Sequence, residues 1–134
     1  MPGGIVSVVK DAGRKPEWVA VVDDDESVRS AIYGALRSVG FAARAFASAE
    51  EFLDSDVRRD TACLISDVQM PGMSGLELQA ALAKDEYRIP IIFITAFGDQ
   101  RVRTQALKAG ALEFLDKPFD DTFLLETVRA ALKP

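Results

Sequence analysis

The sequence predicts an α/β fold in which helices cover both faces of a doubly wound parallel sheet of five strands. Short apolar runs of strand length alternate five times with segments whose apolar residues recur at helical spacing. Residues 18–22, 62–66 and 91–94 are almost wholly apolar, which is typical of strands that are buried on both faces. This alternation favours parallel strands joined by helices, and right-handed crossovers leave few strand orders to choose from.

The strands are expected at the apolar runs, and each is bounded by polar or turn-forming residues. They are residues 18–22, 41–46, 62–66, 91–94 and 111–115. The third run ends at Asp67. Lys117 and Pro118 follow the last run and break the chain, and Asp120 or Asp121 then opens the final helix.

The helices are marked by capping residues at their starts and by glycines at their ends. Residues 48–51 and 74–77 have the pattern of a capping box, Ser-x-x-Glu, and open the second and third helices. Asp99 is expected to cap the fourth helix. Gly40 and Gly110 follow the last apolar position of the first and fourth helices, where glycine commonly ends a helix.

Two regions are expected along the chain, a flexible tail at residues 1–16 and a folded domain at residues 17–134. The first region is rich in glycine and proline, although its apolar residues 5–9 could add a strand. The chain has 134 residues, of which 49% are hydrophobic and 28% are charged. Those proportions fit one globular domain.

Charge and hydropathy exclude several classes of function. The formal net charge of −5 lacks the basic footprint that binds phosphate backbones, so we expect no direct nucleic acid contact by this domain. The longest nearly apolar run, residues 89–97, is shorter than the ~20 residues of a membrane span. We therefore expect a cytoplasmic protein without a membrane segment.

The sequence contains one cysteine and no histidine. These counts exclude an internal disulfide, a Ser-His-Asp triad and a His-ligated zinc site. Cys63 lies within an apolar run, so it is predicted to be a small buried hydrophobic residue rather than a nucleophile.

Polar residues follow four of the predicted strands where each strand ends. They are Asp23 and Asp24 after the first strand, Asp67 after the third, Thr95 after the fourth and Lys117 after the fifth. In an open parallel sheet, ligands bind at the carboxyl ends of the strands, near the point where strand order reverses. We therefore expect these side chains to converge on one edge of the sheet.

The types of these residues point to phosphoryl transfer with a divalent cation. Carboxylates that lie close together repel one another unless a cation sits among them, and oxygen ligands without His or Cys favour Mg²⁺. An aspartate can attack phosphorus to give an aspartyl phosphate. Lys117 would offer a positive charge, and Thr95 a hydroxyl, to the phosphate oxygens. Phosphoryl transfer depends mainly on such positioning and charge stabilisation.

Five short motifs resemble, in order and spacing, the signature of response-regulator receiver domains of two-component systems. They are Val22-Asp23-Asp24, Ile65-Ser66-Asp67, Met70-Pro71-Gly72-Met73-Ser74-Gly75-Leu76-Glu77, Ile94-Thr95-Ala96 and Lys117-Pro118-Phe119. The resemblance covers about residues 18–132 and implies a flavodoxin-like, CheY-like fold with strand order 2-1-3-4-5. Residues 48–53 and 108–119 are most similar to receivers of the nitrogen-fixation regulator (LuxR-type) subgroup. Those receivers usually precede a helix-turn-helix output domain.

The resemblance also implies a role for each residue of the acidic cluster. Asp67 matches the phosphoacceptor. Asp24 matches a direct Mg²⁺ ligand, and Asp23 an acid that often acts through water. Gln69 lies where the family supplies a backbone carbonyl to the metal. The implied cofactor is Mg²⁺, with Mn²⁺ as a second choice.

The resemblance implies a sensing and switching group around the acids. Thr95 and Lys117 match the pair that senses phosphate, and the Lys117–Pro118 peptide is usually cis in the family. Phe114 matches the switching aromatic, which turns inward when phosphate draws in Thr95 and Lys117. Gln69 and Phe97 lie at positions that tune dephosphorylation.

The implied function is a phosphorylation-dependent signalling switch, which is a phosphoprotein rather than an enzyme with turnover. A sensor histidine kinase or a phosphotransfer protein would donate the phosphoryl group to Asp67. The surface of the fourth helix, fifth strand and fifth helix would then change and control an output domain, such as one for transcription regulation, or a partner. Homodimerisation through that surface is implied as well.

Three other readings remain open at this point. A degenerate receiver would serve as an interaction module that is never phosphorylated, but it would lack one of the key residues, all of which are present. A Mg²⁺-dependent phosphohydrolase would commonly carry an acid two residues after its nucleophile, where this chain has Gln69. A nucleotide-binding flavodoxin-like protein would need a glycine-rich phosphate loop after the first strand, and none follows it.

Overall fold

The computed structural model describes residues 17–86 and 88–133, in which five β-strands alternate with five α-helices. The strands are β1 (Trp18–Val22), β2 (Ala43–Phe46), β3 (Thr61–Asp67), β4 (Ile91–Thr95) and β5 (Glu113–Asp116). The helices are α1 (Glu26–Ser38), α2 (Ala49–Leu53), α3 (Gly75–Lys84), α4 (Gln100–Lys108) and α5 (Asp121–Leu132), and a 3₁₀ turn (Arg58–Asp60) precedes β3. The tail predicted at 1–16 and the alternative strand at 5–9 lie outside the described residues.

All five strands are parallel and lie in the order β2-β1-β3-β4-β5, which confirms the predicted fold and strand order. Val22 at the end of β1 lies beside Phe46 of β2 and Ser66 of β3. Asp67 lies beside Ile94 of β4. The carboxyl ends of the central strands therefore meet at one edge, and the order reverses between β1 and β3.

The two faces of the sheet carry separate apolar cores. On one face, α1 and α5 pack on aliphatic side chains of β1, β3 and β4. That cluster contains Val19, Val21, Ile32, Leu36, Ala43, Cys63, Ile65, Ile92, Ile94, Leu124 and Val128. On the other face, α2, α3 and α4 pack on a cluster that includes the aromatic residues Phe46, Phe52, Phe93 and Phe114. Burial of a large apolar side chain contributes roughly 1.5–3 kcal/mol, so both faces are needed to stabilise the fold.

Two strands were predicted to start too early. β2 begins at Ala43 rather than at residue 41. β5 runs from Glu113 to Asp116 rather than over 111–115. In each case the first of the two extra residues, Phe41 or Ala111, is hydrogen-bonded to the end of the previous helix, although it is apolar and resembles a strand residue in sequence.

The end of α1 shows how the helix holds Phe41, whereas the next residue, Ala42, already accepts a hydrogen bond from the N–H of Val19 in β1 at 2.9 Å. The N–H of Phe41 donates to the carbonyl of Leu36 at 3.1 Å, and the N–H of Gly40 donates to that of Arg37 at 3.0 Å. These two bonds form a Schellman motif, in which Gly40 takes a left-handed conformation with φ of +93°. The same arrangement ends α4, where Gly110 has φ of +105°. Both predicted glycine stops are thereby confirmed.

Side chains cap the helices at the predicted residues. At α2 the Ser48 hydroxyl accepts from the Glu51 N–H at 3.1 Å, which is one of the two bonds of the capping box predicted there. Both bonds of the capping box form at α3, between the Ser74 hydroxyl and the Glu77 N–H and between the Glu77 carboxylate and the Ser74 N–H. Asp99 accepts a hydrogen bond at the start of α4. Asp120 is the cap of α5, and Asp121 is its first helical residue. Each cap stabilises its helix by about 1 kcal/mol.

Cys63 is buried within β3, which confirms its predicted place in the core. Burial raises the pKa of its thiol to about 12, so the nucleophilic thiolate does not form at neutral pH. None of the helices within residues 17–86 and 88–133 has the length and apolar character that a membrane span requires.

Candidate functional site

Three carboxylates meet at the carboxyl ends of β1 and β3. Asp23 follows β1 directly, and Asp67 is the last residue of β3. One carboxylate oxygen from each of Asp23, Asp24 and Asp67 lies within 4.8 Å of the others. Asp23 is fully buried, Asp67 is 7% exposed and Asp24 is exposed. The acids predicted from the sequence therefore form one cluster that opens to solvent on the side of Asp24.

Lys117 joins two of these carboxylates, although it lies far away in sequence. Its Nζ donates to Asp23 Oδ2 at 3.0 Å and to Asp67 Oδ2 at 3.3 Å. The loop after β5 brings the lysine there, since the Lys117 N–H donates to the carbonyl of Thr95 at 2.8 Å and the Lys117–Pro118 peptide is cis, as predicted. We call Asp23, Asp24, Asp67 and Lys117 the acidic pocket.

The acidic run that follows β1 contributes Asp23 and Asp24 to the acidic pocket, and Asp25 to the cap of α1. Asp23 Oδ1 accepts from the N–H of Asp25 at 2.8 Å, while Asp25 itself caps α1 by accepting from the N–H of Val28 at 3.1 Å. The carbonyl of Asp23 also accepts from Arg29 Nη1 at 2.7 Å. Arg29 was not predicted from the sequence, and only its place one turn into α1, after an acidic run, could have suggested it.

The buried charges shift the pKa of two groups in the acidic pocket. Burial and the neighbouring charge of Asp23 raise the pKa of Asp67, and the hydrogen bond and charge of Lys117 offset this only in part. Burial lowers the pKa of Lys117, but its hydrogen bonds and charge interactions with Asp23 and Asp67 outweigh that effect and leave the pKa raised. Lys117 is therefore protonated at neutral pH, and the Asp67 carboxylate is destabilised relative to its protonated form.

The backbone beside Asp67 is held from two sides. The N–H of Gln69 donates to Asp67 Oδ1 at 3.3 Å. Gly75, the first residue of α3, donates to the carbonyl of Val68 at 2.8 Å, and a Cβ at Gly75 would collide with the carbonyl oxygen of Asp67. Only glycine permits this close approach, which fixes the start of α3 behind Asp67. The metal-binding role of the Gln69 carbonyl stays a prediction.

Thr95 and Phe97 lie at the same edge of the sheet, next to β3. Thr95 follows Ile94, which is the neighbour of Asp67 in the sheet. The Thr95 hydroxyl is buried and accepts from the N–H of Phe97 at 3.2 Å, so its own hydrogen remains available to a further acceptor. The Phe97 side chain is 75% exposed above this edge. Their roles in sensing and dephosphorylation stay predictions.

Phe114 lies on the α2–α4 face of β5, away from the acidic pocket. Its side chain is buried, with 2% exposure, and its ring centroid is 6.3 Å from that of Phe93. The ring therefore occupies an inward position in this structure. Its role as a switch stays a prediction.

The donor set of the acidic pocket fits a hard divalent cation. The three carboxylates offer oxygen ligands only, and the single positive charge of Lys117 leaves the cluster with excess negative charge. Mg²⁺ prefers such oxygen ligands and keeps several waters, for which the exposed side at Asp24 leaves room. The residues that would hold it are Asp23, Asp24 and Asp67, together with the Gln69 carbonyl.

Residues 19–129 match the family described as Response regulator receiver domain. The chain belongs to this family. It is 45% identical over 114 residues to the transcriptional regulatory protein TdiR of Thauera aromatica. It is 49% identical over 113 residues to Nodulation protein W of Bradyrhizobium diazoefficiens. The alignments cover 85% and 84% of this chain but 50% of each relative, so the chain spans about half the length of these proteins.

A solved receiver structure confirms the resemblance to the nitrogen-fixation subgroup. The crystal structure of FixJ-N superimposes with a TM-score of 0.77 at 39% identity, covering 88% of this chain and 94% of that one. The receiver fold and family expected from the five motifs are thus confirmed. The individual residue roles come from the motif match and from the geometry of the acidic pocket.

Proposed function

We propose that this receiver domain is a phosphorylation-dependent switch that accepts a phosphoryl group on Asp67 in a Mg²⁺-dependent reaction. The observation that supports this most directly is the acidic pocket itself. Asp23, Asp24 and Asp67 cluster within 4.8 Å, and Lys117 contacts two of them from the loop after β5. A nucleophilic carboxylate, a metal-binding set and a cation for phosphate oxygens thus lie at one edge of the sheet.

The transfer uses the Asp67 carboxylate as the nucleophile. One of its oxygens forms a bond to phosphorus while the bond from phosphorus to the donor's histidine nitrogen breaks, and that electron pair stays on the nitrogen. The donor is a sensor histidine kinase or a phosphotransfer protein, because this chain has no histidine of its own. Bound Mg²⁺ would neutralise charge on the phosphoryl oxygens. Lys117 is already beside Asp67 and would bind one phosphate oxygen.

The new phosphate charge then acts on β4 and β5. The Thr95 hydroxyl retains a hydrogen that it can donate to a phosphate oxygen, and Lys117 is linked through its backbone to the same threonine. Movement of these two residues would change the surface of α4, β5 and α5, with Phe114 packed beneath it. Phosphate shifts the balance of two surface arrangements only by its differential affinity for them. That surface would control an output domain or partner and could pair two copies of the chain.

Two rival functions make different predictions. A non-phosphorylated interaction module would have no need for the buried charges of Asp23, Asp67 and Lys117, whose removal from water is costly. A Mg²⁺-dependent phosphohydrolase would turn over external phosphate esters, but Gln69 cannot titrate as the general acid two residues after Asp67. We therefore propose that this cytoplasmic domain makes and loses only its own aspartyl phosphate and is not a turnover enzyme.

The direct test is intact mass after incubation with acetyl phosphate and Mg²⁺. The wild type should gain one phosphoryl group, and a chelator should prevent the gain. Asp67→Asn should gain none, whereas Asp54→Asn, which changes an exposed aspartate at the C-terminal end of α2, should behave as wild type.

The alternative outcomes separate the rivals. No adduct on the wild type, with no Mg²⁺ binding, would favour the interaction module. An equal adduct on Asp67→Asn would place the phosphoryl group elsewhere. Steady turnover of a phosphate monoester by the wild type would favour the phosphohydrolase.

The switch itself is tested by Phe114→Ala. This variant should still be phosphorylated, because the ring lies outside the acidic pocket, but the response of the α4–β5–α5 surface should weaken. Amide chemical shifts in that surface, compared before and after phosphorylation, measure the response. Equal shift changes in the wild type and the variant would rule out a switching role for Phe114.

A further inference from the structure

Arg103, on α4, contacts two residues of β5 with one guanidinium group. Its Nη1 donates to the carbonyl of Phe114 at 3.1 Å, and its Nη2 donates to Asp116 Oδ2 at 3.2 Å. The guanidinium carbon also lies 4.9 Å from the centroid of the Phe114 ring. A planar, rigid guanidinium suits such simultaneous contacts better than the flexible amine of a lysine. We call these three residues the Arg103 clasp.

Within the Arg103 clasp, the guanidinium of Arg103 covers the ring of Phe114. The inner side of the ring packs against the aromatic core near Phe93, and Phe114 is 2% exposed. The Arg103 side chain is 32% exposed, which places its guanidinium on the solvent side of the ring. A cation over the face of an aromatic ring is attracted to it, so the guanidinium both shields and retains the ring.

Through Asp116, the Arg103 clasp also reaches the edge of the acidic pocket. Asp116 directly precedes Lys117 and lies beside Thr95 in the sheet. The Asp116 carboxylate is 58% exposed and packs against Gly98 of the loop that leads to α4, where a Cβ would collide with it. Arg103 therefore connects α4 to a strand end that lies next to two residues of the proposed phosphate site.

We propose that Arg103 is a positioning residue that retains the Phe114 ring in its buried place and couples the acidic pocket to α4. The coupling rests on the proposed function, since it concerns how phosphate on Asp67 acts on α4. The retention of the ring does not depend on phosphate. Loss of the guanidinium should change the ratio of buried to exposed ring by about two- to fivefold, the range of one partly exposed cation–π contact.

The test of retention uses 4-fluorophenylalanine incorporated at position 114 alone. Fluorine NMR with a soluble paramagnetic reagent measures how accessible the ring is, in protein without phosphodonor. Arg103→Met keeps the length of the side chain but removes its charge and its donors, so ring accessibility should rise severalfold. Arg103→Lys should give an intermediate value. Arg101→Met, an exposed arginine on the same helix, should match the wild type. Equal accessibility in Arg103→Met and the wild type would overturn the proposal.

The test of coupling adds acetyl phosphate and Mg²⁺. Arg103→Met should reach the same phosphorylated fraction by intact mass, but the amide shifts of α4 should respond less than in the wild type. Full α4 shifts in that variant, or loss of its phosphorylation, would overturn the coupling role. If the wild type itself takes no phosphoryl group, the proposed function fails, while the accessibility measurement still decides whether Arg103 retains the ring.

Discussion

The strands of this receiver domain bury aliphatic side chains along their length and carboxylates at their carboxyl ends. Leu36 and Ile65, in the aliphatic core between α1 and the sheet, are fully buried, and so is Asp23 in the acidic pocket. Burial stabilises the aliphatic residues by roughly 1.5–3 kcal/mol each. Burial of a carboxylate is unfavourable unless a charge or hydrogen bond compensates it, and the raised pKa of Asp67 shows that the compensation is incomplete.

The two regions meet different physical requirements. The aliphatic core can be explained by stability alone, whereas burial disfavours the charged form of Asp67, whose carboxylate is held in the acidic pocket by Lys117 and by the packing around it. Substitutions in the core should therefore change the free energy of unfolding and leave the chemistry of the folded molecules intact. Substitutions in the acidic pocket should alter the chemistry and have mixed effects on stability.

The largest expected effect on stability is in the aliphatic core. Leu36→Ala should lower the free energy of unfolding by about 3 kcal/mol, because it removes a fully buried side chain and leaves a cavity. Urea denaturation followed by circular dichroism measures this change. The folded protein should still be phosphorylated on Asp67 to the same extent. A selective loss of phosphorylation in folded Leu36→Ala would show that the core and the acidic pocket are not separable.

A loss of stability of intermediate size is expected when the positive charge of Lys117, which links the two carboxylates, is removed. Lys117→Met should lower the free energy of unfolding by roughly 2 kcal/mol in metal-free buffer, since it leaves Asp23 and Asp67 unpaired in a partly solvated site. Added Mg²⁺ should restore part of this loss. Lys108→Met, at an exposed position on α4, is the matched control and should unfold like the wild type. An equal loss in both variants would mean that the contacts of Lys117 add no stability.

The smallest effect on stability is expected for substitution of Asp67 itself, and it is an increase rather than a loss. Because the folded-state pKa of Asp67 is raised, its protonated form favours folding at low pH, and that contribution is lost as the pH rises through the folded-state pKa. Asp67→Asn resembles the protonated form at every pH. In metal-free buffer at pH 7 it should therefore raise the melting temperature by a few degrees.

The pH dependence of the stability difference between Asp67→Asn and the wild type tests this prediction. The gain from Asp67→Asn should shrink as the pH falls and should vanish well below the ordinary aspartate pKa of 3.8. Calorimetry of both proteins across this range measures it. A variant that is less stable than the wild type at pH 7 would show that the contact with Lys117 outweighs burial and the charge of Asp23.

Much of the fold could be predicted because its signals are local. The capping box of Ser74 and Glu77, and the glycine stops at Gly40 and Gly110, depend on residues within one or two helical turns. The starts of β2 and β5 could not be predicted in the same way. Phe41 and Ala111 are apolar but are hydrogen-bonded to the ends of α1 and α4, and this competition between helix end and strand is not visible in the residue types.

The candidate site likewise combines features that could be predicted from the sequence with contacts that could not. Asp23, Asp24 and Asp67 could be predicted to meet, because each follows an apolar strand and parallel strands end at one edge. The contacts of Arg29 with the carbonyl of Asp23, and of Arg103 with β5, could not. An arginine on a helix is usually a solvated side chain, and only the packing of that helix decides what it reaches.

The alternation of strands and helices, the caps and the acids at the strand ends follow from the order of residues, because periodicity and turn chemistry depend on near neighbours. What those residues contact follows only from the folded arrangement. Lys117 reaches Asp23 across 94 positions of sequence. Arg103 covers Phe114 because α4 packs beside β5. Such contacts depend on where loops and crossovers bring distant segments, and no local pattern encodes that placement.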